Sequence, residues 1–173
     1  MILFLDNFDS FSNNIIKKIN FKKLKINCFT LNIKKFYINL IIEKIIILGP
    51  GPSNTINSNL NTIVLDKYIG KKKFLGICLG HQIISCYLNY KILKLNIFFH
   101  GQLKKIIFFI NKYKIFIIKK IIFYNSLSCI GYYRINNLSK NNFELYIVNN
   151  IILKIKSFQF HPESVISNKN FFL

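Results

Sequence analysis

Phe74-Leu75-Gly76-Ile77-Cys78-Leu79-Gly80-His81-Gln82 is the stretch on which the reading of this chain turns. An apolar run ends in Gly-x-Cys-x-Gly and passes straight into residues suited to a helix. That is the cysteine form of the nucleophile elbow, a tight strand-to-helix turn that lifts its central side chain out of the sheet. Cys78 would then stand at the start of a helix, where the macrodipole attracts negative charge. The backbone N–H of Leu79 would point to where an oxyanion forms. A buried structural cysteine in a glycine-flanked turn is the plainer reading of the same nine residues, so the surrounding sequence decides between the two.

Upstream, short apolar runs alternate with turns and amphipathic stretches. Ile2 to Leu5 reads as a strand, Asn7 to Ser10 as a turn, and Phe11 to Ile19 as a helix with Ser10 near its N-cap. Leu24 to Thr30 and Lys44 to Leu48 read as the next strands, the latter stopped by Gly49-Pro50-Gly51-Pro52. Ile56 to Ile69 suits a helix with Ile56, Leu60, Ile63 and Val64 on one face. Phe74 to Ile77 is a fourth strand, and a helix runs from Leu79 to about Leu88. Such alternation predicts an α/β fold: a doubly wound, mostly parallel central sheet with flanking helices. From Lys91 to Lys156 the runs look like strands on short polar connections: Lys104 to Ile110, Lys114 to Ile118, Phe143 to Val148 and Ile151 to Ile155. An antiparallel extension of the sheet in the second half is expected. With no internal repeat and no Pro/Gly/Ser-rich linker, residues 1–173 read as a single domain.

Composition narrows the classes. Ile (35), Lys (24), Asn (23) and Phe (18) make up 100 of the 173 residues, and these are the residues that A/T-only codons encode. The formal net charge of +19 would ordinarily suggest nucleic acid. Here the lysines are scattered along the chain, with one triplet at Lys71-Lys72-Lys73, and Arg134 is the single arginine. Lysine-rich solvated faces explain that pattern, and no specific nucleic-acid partner is expected. The longest apolar runs, such as Met1 to Leu5 and Ile106 to Ile110, are far short of the ~18 residues of a membrane span. No basic segment precedes the first apolar run, so no signal peptide, no membrane and a cytoplasmic setting are expected. Cys28, Cys78, Cys86 and Cys129 show no paired spacing, so reduced thiols are expected, with all but Cys78 serving as small core residues.

A nucleophilic cysteine needs a base, and the base needs an acceptor to orient it. Phe158-Gln159-Phe160-His161-Pro162-Glu163-Ser164 offers both. His161 and Glu163 lie two apart, so in an extended segment they point the same way, and Pro162 stiffens the link. With only three histidines and three glutamates in the chain, this arrangement says more than a stray His-Pro-Glu turn would. Gly49-Pro50-Gly51, directly after a strand, supplies the third element: glycines allow close backbone approach, and their N–H groups can bind a developing oxyanion. Cys78 and His81, at i and i+3, have no third ligand apparent in the sequence, so no metal site is expected.

Taken together, these three elements resemble, in order and spacing, the class I glutamine amidotransferases, the Cys-His-Glu glutaminases. The opening Leu5-Asp6-Asn7-Phe8-Asp9-Ser10-Phe11-Ser12-Asn13-Asn14 is similar to the start of the subgroup that serves chorismate-using synthases, with Ser12 where Thr is usual. Tyr124-Asn125-Ser126-Leu127 resembles its Tyr-His-Ser-Leu segment, with Asn125 in place of His. The resemblance implies that Cys78 attacks the glutamine amide, that His161 carries the proton, and that Glu163 orients His161. It implies an oxyanion hole from the N–H of Leu79 and that of Gly49 or Gly51; Pro50 cannot donate. It implies that Gln82 and the Ser126-Leu127 backbone hold the substrate L-glutamine. No cofactor is implied for the glutaminase half-reaction, whereas the partner synthase subunit, acting on chorismate in a hetero-oligomer, is expected to use Mg2+. Within the subgroup the resemblance leans to the glutaminase subunit of anthranilate synthase. The corresponding subunit of aminodeoxychorismate synthase and a catalytically silent synthase partner are the alternatives.

Overall fold

A computed structural model of the chain describes residues 2–20, 26–29, 40–52, 59–110, 115–135 and 139–164. The elements in chain order are β1 (Ile2–Leu5), α1 (Ser12–Asn20), β2 (Ile26–Phe29), β3 (Ile45–Leu48), α2 (Asn59–Tyr68), β4 (Lys73–Ile77) and α3 (Leu79–Tyr87). Then come β5 (Lys91–Ile110), β6 (Ile115–Ile135), β7 (Ser139–Glu144), β8 (Ile147–Asn150) and β9 (Ile155–Phe158). One sheet has the order β2-β1-β3-β4-β9-β8, parallel except for β8, which pairs antiparallel with β9. A second, antiparallel sheet has the order β5-β6-β7. The fold is therefore α/β with a mostly parallel central sheet and additional antiparallel strands.

Strand alternation explains how both faces of the parallel sheet are buried. In β1, Leu3 and Leu5 face one way and Ile2 and Phe4 the other. Leu3, Leu5, Ile46, Leu48 and Phe74 pack under α2 and α3, against Val64, Leu65, Leu79, Ile83 and Ile84. Ile2, Phe4, Ile47 and Ile77 pack under α1, against Ile15 and Ile19. Parallel strands buried on both faces read as near-continuous apolar runs, as β1 and β3 do. A third cluster, Ile121, Phe123, Phe158 and Phe160, fixes β6 of the antiparallel sheet against β9 and the residues that follow it. That contact brings the two halves of the chain together at the carboxyl ends of β3 and β4.

Several sequence expectations are corrected. Helix α1 begins at Ser12, and Ser10 does not cap it. The Asp9 carboxylate instead accepts the Phe11 N–H at 2.8 Å, and the Asp9 carbonyl accepts the Ser12 N–H at 3.2 Å. On α2 the buried residues are Asn61, Val64 and Leu65, while Leu60 and Ile63 face solvent. Of the expected apolar face, Val64 is therefore buried but Leu60 and Ile63 are not, and Ile56 lies outside the described residues. Leu24, Thr30 and Lys114 lie there too. Ile151 to Lys154 forms a turn between β8 and β9, with Ile151 and Ile152 exposed, where a strand was expected. The antiparallel part divides: β8 extends the parallel sheet, whereas β5 to β7 form their own. Cys86 is exposed rather than buried, and Cys28 belongs to β2, whose side chains are outside the description.

Candidate active site

Cys78 occupies the turn between β4 and α3 with φ 51° and ψ −101°, a left-handed setting that side chains rarely adopt. The neighbouring elements hold it there: the Cys78 N–H donates to the Phe158 carbonyl at 2.8 Å, and the Cys78 carbonyl accepts the Gln82 N–H at 3.1 Å. Local strain of this kind persists when the surroundings over-determine it. Two glycines let α3 lie close to the sheet. A Cβ on Gly76 would stand 2.7 Å from the Gly80 carbonyl oxygen, and a Cβ on Gly80 would collide with the Leu48 carbonyl. The start of α3 is thereby pressed against the end of β3, where Gly49-Pro50-Gly51 begins.

His161 and Glu163 are both almost wholly buried, and the His161 Nδ1–H donates to Glu163 Oε1 at 2.6 Å. That bond fixes the ring and directs its Nε2 to the other side, where His161 is hydrogen-bonded with Cys78. Burial opposes a positive charge on His161, but hydrogen bonds and charge from Cys78 and Glu163 outweigh it and raise the pKa to about 10. The ring is clamped by Phe11, whose centroid is 4.8 Å away, and by the edge-on Tyr124 at 5.7 Å. Lys18 on α1 donates to the Pro162 carbonyl at 2.9 Å, tying the His-Pro-Glu turn to the opposite layer.

A cavity of ≈ 590 Å³ opens over the sulfur. Cys78, His161, Gly51 and Ser126 line it, together with Asn125, Tyr124 and His100 from the antiparallel sheet. Glu163 lies behind His161. Gly49, Pro50, Leu79, Gln82 and Leu127 are not on the cavity wall. For Gly49 the reason is specific: its N–H donates to the Leu5 carbonyl at 3.0 Å and its carbonyl accepts the Asn7 side-chain N–H at 2.8 Å. The Gly49 N–H is therefore spent on prolonging the β1–β3 pairing and is not available to an oxyanion. Of the two glycines expected there, Gly51 is the one that lines the cavity. It sits beside the start of α3, since a Cβ on Gly51 would be 3.0 Å from Leu79 Cδ2. The first N–H groups of a helix have no intrahelical acceptor, and Leu79 is the first residue of α3.

Gln82 and Leu127 meet behind the wall: Gln82 Nε2 donates to the Leu127 carbonyl at 3.3 Å, and the Asn125 amide donates to the same oxygen at 3.0 Å. Both lone pairs of the Leu127 carbonyl are thus occupied by protein groups. His81 does not face the sulfur. Its Nε2–H donates to the Leu145 carbonyl at 2.8 Å and its Nδ1 accepts from Ser157 Oγ at 2.9 Å. Burial lowers its pKa to about 4, against the Leu145 bond, so it is a neutral packing residue. Among the described residues no three His, Cys, Asp or Glu side chains gather as a metal site requires. None of their helices is long and apolar enough to cross a membrane. Sequence reasoning missed Phe11 and Tyr124 as clamps on His161, Asn7 as the brace of the glycine loop, and Gln159. Period-two alternation over Phe158 to His161 was a signal for Gln159, since it puts residues 159 and 161 on one side.

The profile of the family described as glutamine amidotransferase class-I matches residues 3–172. The chain belongs to the class I glutamine amidotransferases. It is 32% identical over 181 residues to anthranilate synthase component 2 of Saccharolobus solfataricus, covering 95% of this chain and 91% of that one. It is 30% identical over 183 residues to anthranilate synthase component 2 of Buchnera aphidicola, covering 96% and 88%. Among solved structures, a glutamine amidotransferase of Thermotoga maritima superposes with a TM-score of 0.63 at 12% identity, covering 94% of this chain and 75% of that one. That last likeness concerns the fold.

Proposed function

We propose that this amidotransferase is the glutaminase subunit of anthranilate synthase, a cytoplasmic protein that hydrolyses glutamine and passes ammonia to a chorismate-using synthase subunit. The observation that carries the glutaminase half is that Cys78 and His161 face one cavity, with Glu163 behind His161 holding its Nδ1 at 2.6 Å. The choice of anthranilate synthase over aminodeoxychorismate synthase rests on relatives that bear the former name across nearly their whole length.

The chemistry follows from the arrangement. The Cys78 sulfur attacks the carboxamide carbon of glutamine, and the carbonyl oxygen becomes an oxyanion held by the N–H groups of Leu79 and Gly51. His161, charged and oriented by Glu163, gives a proton from Nε2 to the departing nitrogen as the C–N bond breaks. Ammonia leaves and a glutamyl thioester remains on Cys78. His161, now neutral, takes a proton from water as that water attacks the thioester. The C–S bond breaks, glutamate leaves, and the sulfur returns to its starting state. Ser126, on the cavity wall, binds the substrate directly, while Gln82 and Leu127 shape the pocket from behind. No cofactor takes part in this half-reaction.

A chloroketone analogue of glutamine tests the assignment of the pocket. The reagent is expected to label Cys78 stoichiometrically, free glutamine to protect against it, and Cys78→Ala to remain unlabelled. Labelling of Cys86, the exposed thiol, at the same rate as Cys78 and without protection by glutamine would contradict it.

A further inference from the structure

Gln159 has no part in the steps above, yet it is a completely buried amide two residues before His161. Phe158 and Phe160 on either side of it face the apolar cluster with Ile121 and Phe123, so Gln159 is turned the opposite way, toward the elbow. The backbone holds it firmly: the Gln159 N–H donates to the Tyr146 carbonyl at 2.9 Å, and the preceding carbonyl, of Phe158, accepts the Cys78 N–H at 2.8 Å. Its side chain then has a defined orientation. Nε2 faces Cys78 Sγ at 4.0 Å, while Oε1 accepts from Gln82 Nε2 at 3.5 Å and from Cys129 Sγ at 3.8 Å. A flipped amide would set Oε1 against the nucleophile and N–H against two donors.

We infer that Gln159 is a positioning residue for this site, its N–H directed at the Cys78 sulfur and its carbonyl fixing the amide of Gln82. The inference rests on the glutaminase reading and adds a residue to it. A thiol is a weak acceptor, and 4.0 Å is a long contact even for sulfur. A thiolate is a strong acceptor, and charge-assisted bonds are about twice as strong as neutral ones. The Gln159 N–H therefore favours the charged sulfur, both before attack and when the thioester breaks. The second effect concerns Gln82. Its two amide hydrogens go to the Leu127 carbonyl and to Gln159 Oε1, so Gln159 helps to hold Gln82, and through it Leu127, behind the cavity wall. Loss of the Gln159 carbonyl would thereby loosen the support behind the cavity wall.

The test uses the full chain with Gln159→Met, which keeps the length and removes both polar groups, and Gln159→Glu, which keeps an acceptor for Gln82 and removes the donor to sulfur. Cys78 is alkylated with iodoacetamide across pH, and KM and kcat for glutamine are measured in complex with the synthase. Both variants are expected to slow alkylation at neutral pH roughly tenfold and to move the midpoint of its pH profile upward, the loss of one hydrogen bond to a charged group. The methionine variant is expected to raise KM as well, and the glutamate variant to leave KM nearer the starting value. A folded variant of either kind whose alkylation profile and KM match the parent overturns the inference. If Gln159→Met does not fold, Gln159→Glu decides by the same readouts. Absence of glutamine hydrolysis by the parent complex would overturn the glutaminase reading instead, and the alkylation profiles would still report on Gln159.

Discussion

His161 is the residue at which burial, charge and chemistry meet. Burial alone would keep it neutral, but Cys78 and Glu163 raise its pKa from 6.5 to about 10. A raised folded pKa stabilises the fold fully below pH 6.5, where His161 is protonated whether the chain is folded or not. That stabilisation is lost as pH rises toward the folded value, because the folded state retains a proton that the unfolded state has released. Glu163→Gln removes one of the two groups that raise it. The variant is expected to lose about 2 kcal/mol at pH 6, the cost of one hydrogen bond to a buried charge, and clearly less at pH 9.5. Thermal unfolding of parent and variant at the two pH values measures this, and an equal loss at both would contradict the raised pKa. At this scale the sequence was partly legible. Cys78 stood out by its Gly-x-Cys-x-Gly setting, and His161 and Glu163 because the chain is poor in His and Glu. Which of Gly49 and Gly51 has a free N–H was not legible, because the hydrogen bond from Gly49 to Leu5, 44 positions away, cannot be read from a Gly-Pro-Gly motif.

Helix α3 shows what an element contributes. It bears the cysteine at its N-terminus, and its approach to β3 depends on the missing side chain at Gly80. In Gly80→Ala the new methyl meets the Leu48 carbonyl, which is backbone in the middle of the sheet and has nowhere to go. The helix must lift, and the Leu79 N–H and Cys78 move with it. A loss of about 1–3 kcal/mol is expected from overpacking, with a fall in kcat beyond what the loss of folded protein explains. Denaturant unfolding and kinetics on the same preparation measure both, and a variant with parental kcat would contradict the close approach. Elements were legible where apolar runs were bounded by strong turn signals: β1 spans Ile2–Leu5 as read, and β3 and β4 differ by one residue. They were less legible where the chain is rich in Ile throughout. In Ile151-Ile152 the β-prone residues sit in a turn and are 86% exposed, and the position of that turn is set by the β8–β9 register rather than by propensity. Leu60 and Ile63 on α2 face solvent for a related reason: Ile and Leu are so frequent here that periodicity marks a buried face poorly.

Across the whole molecule, the parallel sheet supplies Cys78, its final strand leads to His161 and Glu163, and the antiparallel sheet closes the cavity with Tyr124, Asn125 and Ser126. Phe123 and Ile121, packed on Phe158 and Phe160, hold those parts in one piece. Among the described residues, the groups bonded to the sulfur are His161, Gln159 and the Tyr124 carbonyl, none of them a lysine. The central claim is that this assembly releases ammonia from glutamine for a second subunit, and release of glutamate tests it most directly. Purified protein is assayed with glutamine, alone and with a chorismate-using synthase subunit, beside Cys78→Ala. The account predicts glutamate release by the complex that rises with chorismate present and is lost, by several orders of magnitude, in Cys78→Ala. A folded, partner-bound protein that releases no glutamate, or a Cys78→Ala variant that releases it at the parental rate, would contradict it.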